Sequence, residues 1–165
     1  MSKIKIVINS TPIISLSIIE KLDLLDFLFE EVIVPQAVYT EVVTRGTDKA
    51  GSVELARSKW VKVEKVLNEN TKQSIMLELD EGEAEVITIA KERTINTVVI
   101  DEFAGRQYAS LLGLNVIGTL GILLSGKKHG FIAELRPLMD TLIKKNRYID
   151  KFLYELMLRQ AGEVK

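Results

Sequence analysis

The stretch IKIVINSTP, residues 4–12, joins the signal of a buried strand directly to that of a helix start. Its first half is rich in β-branched residues, which favour strands. Ser10 and Thr11 are residue types that cap helices, and Pro12 suits a first helical turn. We therefore predict a strand over residues 4–8 that leads into a helix, with Asn9 at the junction.

Four more short apolar runs follow, separated by enough chain for helices. They are residues 32–34, 61–66, 97–100 and 114–117. The run at 61–66 alternates Val with Lys and Glu, which is typical of a half-exposed edge strand. The others are nearly continuous Val and Ile, which is typical of parallel strands covered on both faces. The sequence predicts an α/β fold, a three-layer α/β/α sandwich with a central parallel sheet.

In the segments between these runs, apolar residues recur at helical spacing. The predicted helices are two short ones within 13–28 broken near Glu20, then 36–43, 53–60, 73–79, 82–93, 102–112, 120–128, 135–144 and an amphipathic one from about 149. Residues 68–72 are predicted as a loop. We expect a single domain over residues 1–165, with a core at 4–125 and a C-terminal helical extension at 132–162.

Composition excludes several classes of protein. At 165 residues, 47% hydrophobic and 27% charged, the chain fits one globular domain and does not fit a disordered protein. It has no Cys and one His, which excludes thiolate chemistry and most His-based zinc sites. A metal must therefore bind to oxygen ligands. The chain contains no uncharged apolar stretch of about 18 residues, so no membrane span is predicted. No signal peptide is apparent either, and we therefore expect a cytoplasmic protein.

Charge is unevenly distributed along the chain. Residues 70–102 carry eight acids and three bases, whereas residues 126–165 carry nine bases and five acids. An acidic centre beside a basic tail is compatible with a metal site next to a phosphate-binding surface. Solvated helix faces of both signs would produce the same distribution.

Two polar residues follow predicted strands. Asn9 ends the first and Asp101 ends the fourth, and ligands of open parallel sheets gather at such ends where strand order reverses. If these strands are neighbours, the two side chains converge, and Glu41 and Glu83 are the best donors to complete a cluster. Carboxylates that share a small site repel one another unless a cation neutralises them, which indicates Mg²⁺ or Mn²⁺.

Each candidate also has an ordinary structural interpretation. Asn9 is of a type common in turns before a helix, and Glu41 fits a solvated helix face. The acids of residues 79–85 suit a helix N-terminus, where negative charge complements the helix dipole. Asp101 and Glu102 could cap the next helix. The residues alone leave these alternatives open.

Five ordered segments together resemble the PIN domain, and more narrowly its prokaryotic branch close to VapC-type toxins. They are VINSTPII at 7–14, VIVPQAVYTEV at 32–42, LDEGEAEVI at 79–87, IDEFAGR at 100–106 and GTLGIL at 118–123. The resemblance is collinear over roughly residues 4–125. It implies a Mg²⁺- or Mn²⁺-dependent endoribonuclease that hydrolyses RNA, acting as the toxin of a toxin–antitoxin pair.

The resemblance also implies the site residues and the partners. Glu41, Glu83 and Asp101 stand at the family's catalytic acids, and Glu102 or Thr119 would help to hold metal-bound water. A homodimer and a small antitoxin protein are the implied partners. The family's usual Asp after the first strand is Asn9 here, whose amide oxygen can bind Mg²⁺ but brings no charge. The metal ligands are thus expected to be Asn9, Glu41, Glu83, Asp101 and Glu102.

The presence of Asn9 in place of the family's usual Asp leaves two possible functions open. The first is a ribonuclease weakened by Asn9. The second is a catalytically impaired PIN-fold module that binds RNA or a protein. A phosphotransfer receiver-like domain is disfavoured, because no acidic pair follows the first strand and no suitable Lys stands at a strand end.

Overall fold

A computed structural model describes residues 2–164 and contains a five-stranded, wholly parallel sheet. Its strands are β1 Lys5–Ile8, β2 Glu31–Pro35, β3 Val61–Glu64, β4 Thr97–Val99 and β5 Asn115–Ile117. Their spatial order is β3-β2-β1-β4-β5. Helices pack against the sheet, which confirms the predicted α/β fold.

The first and fourth strands are neighbours, as the site hypothesis required. Ile6 pairs with Thr97, and Ile8 pairs with Val99. The chain runs outward from β1 through β2 to β3, then returns to β4 on the other side of β1 and continues to β5. Strand order therefore reverses between β1 and β4, where the carboxyl ends of parallel strands leave a crevice.

Helices connect the strands and follow them. They are α1 Ser10–Ile18, α2 Leu24–Leu28, α3 Gln36–Tyr39, α4 Ser52–Arg57, α5 Glu69–Ile75, α6 Glu81–Glu92, α7 Phe103–Leu111, α8 Thr119–Lys128, α9 Arg136–Lys144 and α10 Lys151–Gln160. A π-helical turn, Thr40–Thr44, extends α3. The predicted break near Glu20 is confirmed, since this residue has a φ of 56° and lies between α1 and α2.

Burial follows the sequence pattern of the strands. The β1 side chains from Ile6 to Ile8 are fully buried, as are Val98 and Val99 of β4. By contrast, every residue of β3 keeps part of its side chain in solvent, which confirms the predicted edge strand. Three of the continuous Val and Ile runs thus form the inner strands β1, β2 and β4, because helices cover both of their faces. The run at 114–117 was wrongly expected to be covered in the same way: its strand β5 is the second edge of the sheet, and its residues are exposed or half-buried.

The loop predicted at residues 68–72 is wrong, because α5 begins at Glu69. The Asn68 side chain caps this helix by accepting a hydrogen bond from the Thr71 backbone N–H at 3.0 Å. Lys72, which falls within that predicted loop, is buried and pairs with two acids of α6. The helix predicted at 73–79 therefore lies earlier in the chain, at 69–75, and a tertiary ion pair stabilises the first turns that local polarity did not predict.

The two C-terminal helices share the hydrophobic core of the sheet. Met139 and Leu142 of α9 and Met157 and Leu158 of α10 are buried within it. Between residues 2 and 164, no helix has the length and apolar character needed to span a bilayer.

Candidate metal centre

Asn9 and Asp101 lie at the same edge of the sheet. Asn9 directly follows β1, is buried, and donates its backbone N–H to the Val99 carbonyl of β4 at 3.0 Å. Asp101 comes two residues after β4, and the intervening Ile100 donates its N–H to Ile117 of β5 at 3.0 Å. These backbone hydrogen bonds between neighbouring strands therefore place both residues at the mouth of the crevice.

Three acids form a compact group at this mouth, which we call the acidic group. It consists of Asp80, Glu83 and Glu102, each of which offers a carboxylate oxygen within 4.8 Å of the others. Asp80 caps α6 and accepts a hydrogen bond from the Glu83 N–H at 2.8 Å, while Glu102 precedes α7. Two helix starts thus bring the three side chains together.

Glu83 is the buried member of the acidic group. Its residue is only 3% exposed, whereas Asp80 and Glu102 face solvent. Burial, together with the adjacent Glu102 and Asp80 carboxylates, raises the pKa of Glu83 from 4.5 to about 8. A buried acid beside two others is unfavourable when ionised, so the environment of this carboxyl favours its protonated form.

Two glycines allow this close packing. A Cβ at Gly105 of α7 would stand 2.9 Å from Glu83 Oε2, so any other residue would push the carboxylate aside. A Cβ at Gly82 would stand 3.1 Å from Asn9 Oδ1 and 3.6 Å from Asp80 Oδ1. The Asn9 amide oxygen therefore approaches the first turn of α6, beside the acidic group.

Asp101 lies outside the acidic group and is tied to α8. Its Oδ1 accepts a hydrogen bond from the Thr119 N–H at 2.7 Å, and its Oδ2 accepts one from the Thr119 hydroxyl at 2.6 Å. The carboxylate is partly exposed and lines a cleft beside the acidic group. Asp101 thus joins the end of β4 to the start of α8 and retains lone pairs on both oxygens.

Glu41 also lies outside the acidic group. It sits in the π-helical turn with an exposed side chain, and among residues 2–164 no carboxylate cluster of three or more includes it. Of the predicted ligands, the structure therefore brings together Glu83 and Glu102, with Asn9 beside α6. It holds Asp101 and Glu41 apart from them.

The sequence interpretation missed Asp80 as a site residue. The run Asp80-Glu81-Gly82-Glu83 carries an N-cap acid three residues before a second acid. That spacing brings the two side chains together over the first turn of a helix. Helix capping was the signal that could have found Asp80.

The donor set fits a hard divalent cation. Mg²⁺ and Mn²⁺ prefer carboxylate and amide oxygens, which are what the acidic group and Asn9 offer. The buried Glu83 would gain a counter-charge on binding such an ion, and the two exposed acids leave the site open to solvent and substrate. The arrangement is thus suited to chemistry at an ion that is only partly enclosed by protein.

Comparison with known families agrees with this geometry. A family model described as a PIN domain matches residues 5–163, nearly the whole chain. Comparison with curated proteins found no significant match. PIN domains have a nuclease fold and generally use divalent metals, and this chain has both the fold and an acidic group that could bind one. The chain belongs to the PIN-domain family.

Proposed function

We propose that this protein is a Mg²⁺- or Mn²⁺-dependent endoribonuclease that hydrolyses RNA phosphodiesters at the acidic group. The observation that carries the proposal is Glu83, a carboxyl buried between Asp80 and Glu102 at the edge where β1 and β4 end. An unpaired buried acid costs stability. A functional site that binds a cation explains why it is there.

The residues have distinct proposed roles. Asp80, Glu83 and Glu102 would hold the ion, and the Asn9 amide oxygen would approach it without adding charge. A divalent ion bound there would activate water and stabilise negative charge on the phosphate. Asp101 would act at the neighbouring cleft from its fixed position against Thr119. Glu41 stays a predicted catalytic residue, and its exposed carboxylate would act from outside the acidic group.

The biological setting is proposed from the resemblance to VapC-type toxins. We propose a cytoplasmic toxin that forms a homodimer and is restrained by a small antitoxin protein. We also propose that residues 1–165 act as one domain, because α9 and α10 contribute to the core of the sheet. Light scattering of the purified protein would test the dimer. Co-purification with the product of the adjacent gene would test the antitoxin.

Metal binding and cleavage test the central proposal. Protein stripped with EDTA is titrated with MnCl₂ by calorimetry, then incubated with labelled single-stranded RNA with and without the metal. We expect binding and Mn²⁺-dependent cleavage, both lost in Glu83→Gln. We also expect Asp101→Ala to abolish cleavage. Glu134→Gln is the matched control, because Glu134 is an exposed acid outside the acidic group.

A second function is supported by Asn9 itself. The residue is buried with its amide oxygen beside α6, so a neutral ligand stands where the family usually has an acid. A weakened metal site would leave a module that binds RNA or a protein without cutting. Wild-type protein that neither binds Mn²⁺ nor cuts RNA at high metal concentration would favour this function over the nuclease.

A further inference from the structure

A cleft of about 600 Å³ opens beside the acidic group. Thr11 and Asp101 line one side of it, and Arg147 and Tyr148 from the segment between α9 and α10 line another. The Thr11 hydroxyl donates to Glu102 Oε1 at 3.3 Å, so the cleft and the acidic group share a wall. The volume is in the range of ligand-binding pockets.

We propose that this cleft binds single-stranded RNA next to the cleaved phosphodiester. In this arrangement Arg147 binds a backbone phosphate, and Tyr148 stacks on an unpaired base. The inference rests on the proposed nuclease function and names the residues that would bind its substrate. It assigns the C-terminal segment a direct role in substrate binding.

The segment that carries these residues is held at both ends. Asn146 has a φ of 65° and ends α9 in a left-handed conformation, which Asn tolerates better than most residues. The Arg147 N–H then donates to the Leu142 carbonyl at 2.9 Å. At the other end, Asp150 caps α10 through the Leu153 N–H at 2.9 Å. These bonds hold in place the segment that lines the cleft.

Tyr148 lines the cleft with a largely exposed side chain. Its side chain is 90% exposed, although the residues on either side of it are half-buried. Among the described residues, it forms no aromatic stack with another ring. Aromatic rings exposed beside a positively charged groove bind single strands by stacking, since every base has a flat apolar face.

Positive charge in the cleft offsets the acidic group. The Arg106 guanidinium lines the cleft and donates Nη1 to the Ile100 carbonyl at 2.8 Å. Within residues 2–164, neither Arg106 nor Arg147 forms a salt bridge. A phosphate backbone approaching three acids is repelled unless cations stand nearby, and two arginines without acidic partners supply that charge.

Apolar surface completes the site. Leu142, Ile149 and Leu153 line the cleft together with Leu120 at the start of α8. Such a surface accepts the face of a base, but a paired base in a duplex would keep its faces stacked on its neighbours. The cleft therefore favours RNA with an unpaired nucleotide.

Binding measured without metal tests this inference separately from cleavage. Fluorescence anisotropy of a labelled single-stranded RNA is followed in EDTA, so catalysis plays no part. We expect Tyr148→Ala to weaken binding about tenfold and Tyr148→Phe to leave it unchanged, because stacking needs only the ring. We expect Arg147→Ala to weaken binding and to reduce the salt slope by about 0.7. The control Lys128→Ala removes the same charge at the far end of α8 and should bind as wild type.

The outcomes separate the two proposals. If Tyr148→Ala and Arg147→Ala bind RNA as tightly as the wild type, or if the wild type does not bind, the cleft does not hold RNA and the inference is overturned. Unchanged or absent RNA binding is also the result expected if the cleft binds a peptide instead of RNA. If the variants lose binding but the wild type never cuts RNA in Mn²⁺, the cleft inference stands and the nuclease proposal fails.

Discussion

At the scale of single residues, Glu83 makes the stability of the metal-free protein depend on pH between about 4.5 and 8. Its pKa is raised from 4.5 to about 8 by burial and by the neighbouring carboxylates. The folded state therefore binds this proton more tightly than the unfolded state does. The resulting stability is fully present below about pH 4.5 and is lost as the pH rises through about 8.

The first prediction follows from this loss of stability with rising pH. In EDTA, the free energy of unfolding of the wild type should fall by on the order of 5 kcal/mol as the pH rises through this window. Glu83→Gln should remove most of the fall, because its amide carries no charge at any pH. Urea unfolding at a series of pH values measures both. An equally steep fall in Glu83→Gln would show that another group is responsible.

The second prediction concerns Asn9. Asn9→Asp adds a charge beside Asp80 and Glu83, so repulsion should lower the melting temperature in EDTA. The same charge should tighten Mn²⁺ binding roughly tenfold and raise the cleavage rate, since affinity for hard cations follows ligand charge. Calorimetry and RNA cleavage test this, with Asn115→Asp on the exposed end of β5 as a control. Unchanged metal affinity would exclude Asn9 from the site.

At the scale of single elements, Asp80 both caps α6 and belongs to the acidic group, and two substitutions separate these roles. Asp80→Asn keeps a good capping residue, so stability should hold while Mn²⁺ affinity falls. Asp80→Ala should also lose affinity and should cost about 1 kcal/mol, because the Glu83 N–H loses its partner. Urea unfolding paired with calorimetry distinguishes the two. Equal stability of both variants would contradict a capping role.

The helix pair α5 and α6 depends on a buried ion pair. Lys72 Nζ lies 2.7 Å from Glu85 Oε2, and Glu85 also accepts the Ala37 N–H at the start of α3 at 2.9 Å. Burial lowers the pKa of Lys72, but hydrogen bonds to Glu85 and Glu81 outweigh it and raise the pKa overall. Glu85 therefore belongs to the scaffold and supports the start of α3.

The fourth prediction tests this ion pair. Lys72→Met leaves Glu85 buried without its counter-charge and should cost about 3 kcal/mol or more. Glu81→Gln removes the exposed partner of the same lysine and should cost less than about 1 kcal/mol. Denaturant unfolding of both variants at neutral pH is the measurement. Similar losses of unfolding free energy in the two variants would mean that the buried Lys72–Glu85 pair stabilises the protein no more than the exposed Lys72–Glu81 pair does.

At the scale of the whole molecule, metal binding should be linked to folding. The acidic group combines side chains from the starts of α6 and α7, which are far apart in sequence, so an ion that binds there binds only the folded chain. At a Mn²⁺ concentration about 100 times the Kd, the gain is about 2.7 kcal/mol. For a chain of this size, that corresponds to a rise in Tm of roughly 5–10 °C.

This fifth prediction is measured by calorimetric melting with and without MnCl₂. Glu134→Gln should show the full rise, whereas Glu83→Gln should show little. A rise of equal size in both variants would place the bound ion elsewhere on the molecule.

Much of the fold follows from local signals. The strand around Val7 and the one around Val98 are continuous runs of β-branched residues, and the alternation at Val61 and Val63 identifies one of the two edges. These patterns are readable because burial on two faces, or on one, imposes a composition on each strand. Residues 68–72 were wrongly predicted as a loop because the acidic partners of Lys72 lie on another helix, where no local pattern reveals them.

The amino-acid sequence by itself determined the α/β class, the oxygen-ligand chemistry and the resemblance to PIN domains, because each depends on residue types and their order. Only the tertiary structure decided which acids meet. Asp80, Glu83 and Glu102 converge because two helix starts face each other across the β1/β4 edge, while Thr119 holds Asp101 beside the cleft and the π-helical turn leaves Glu41 exposed. The direction of a side chain depends on the phase and packing of its element, and spacing along the chain does not specify either.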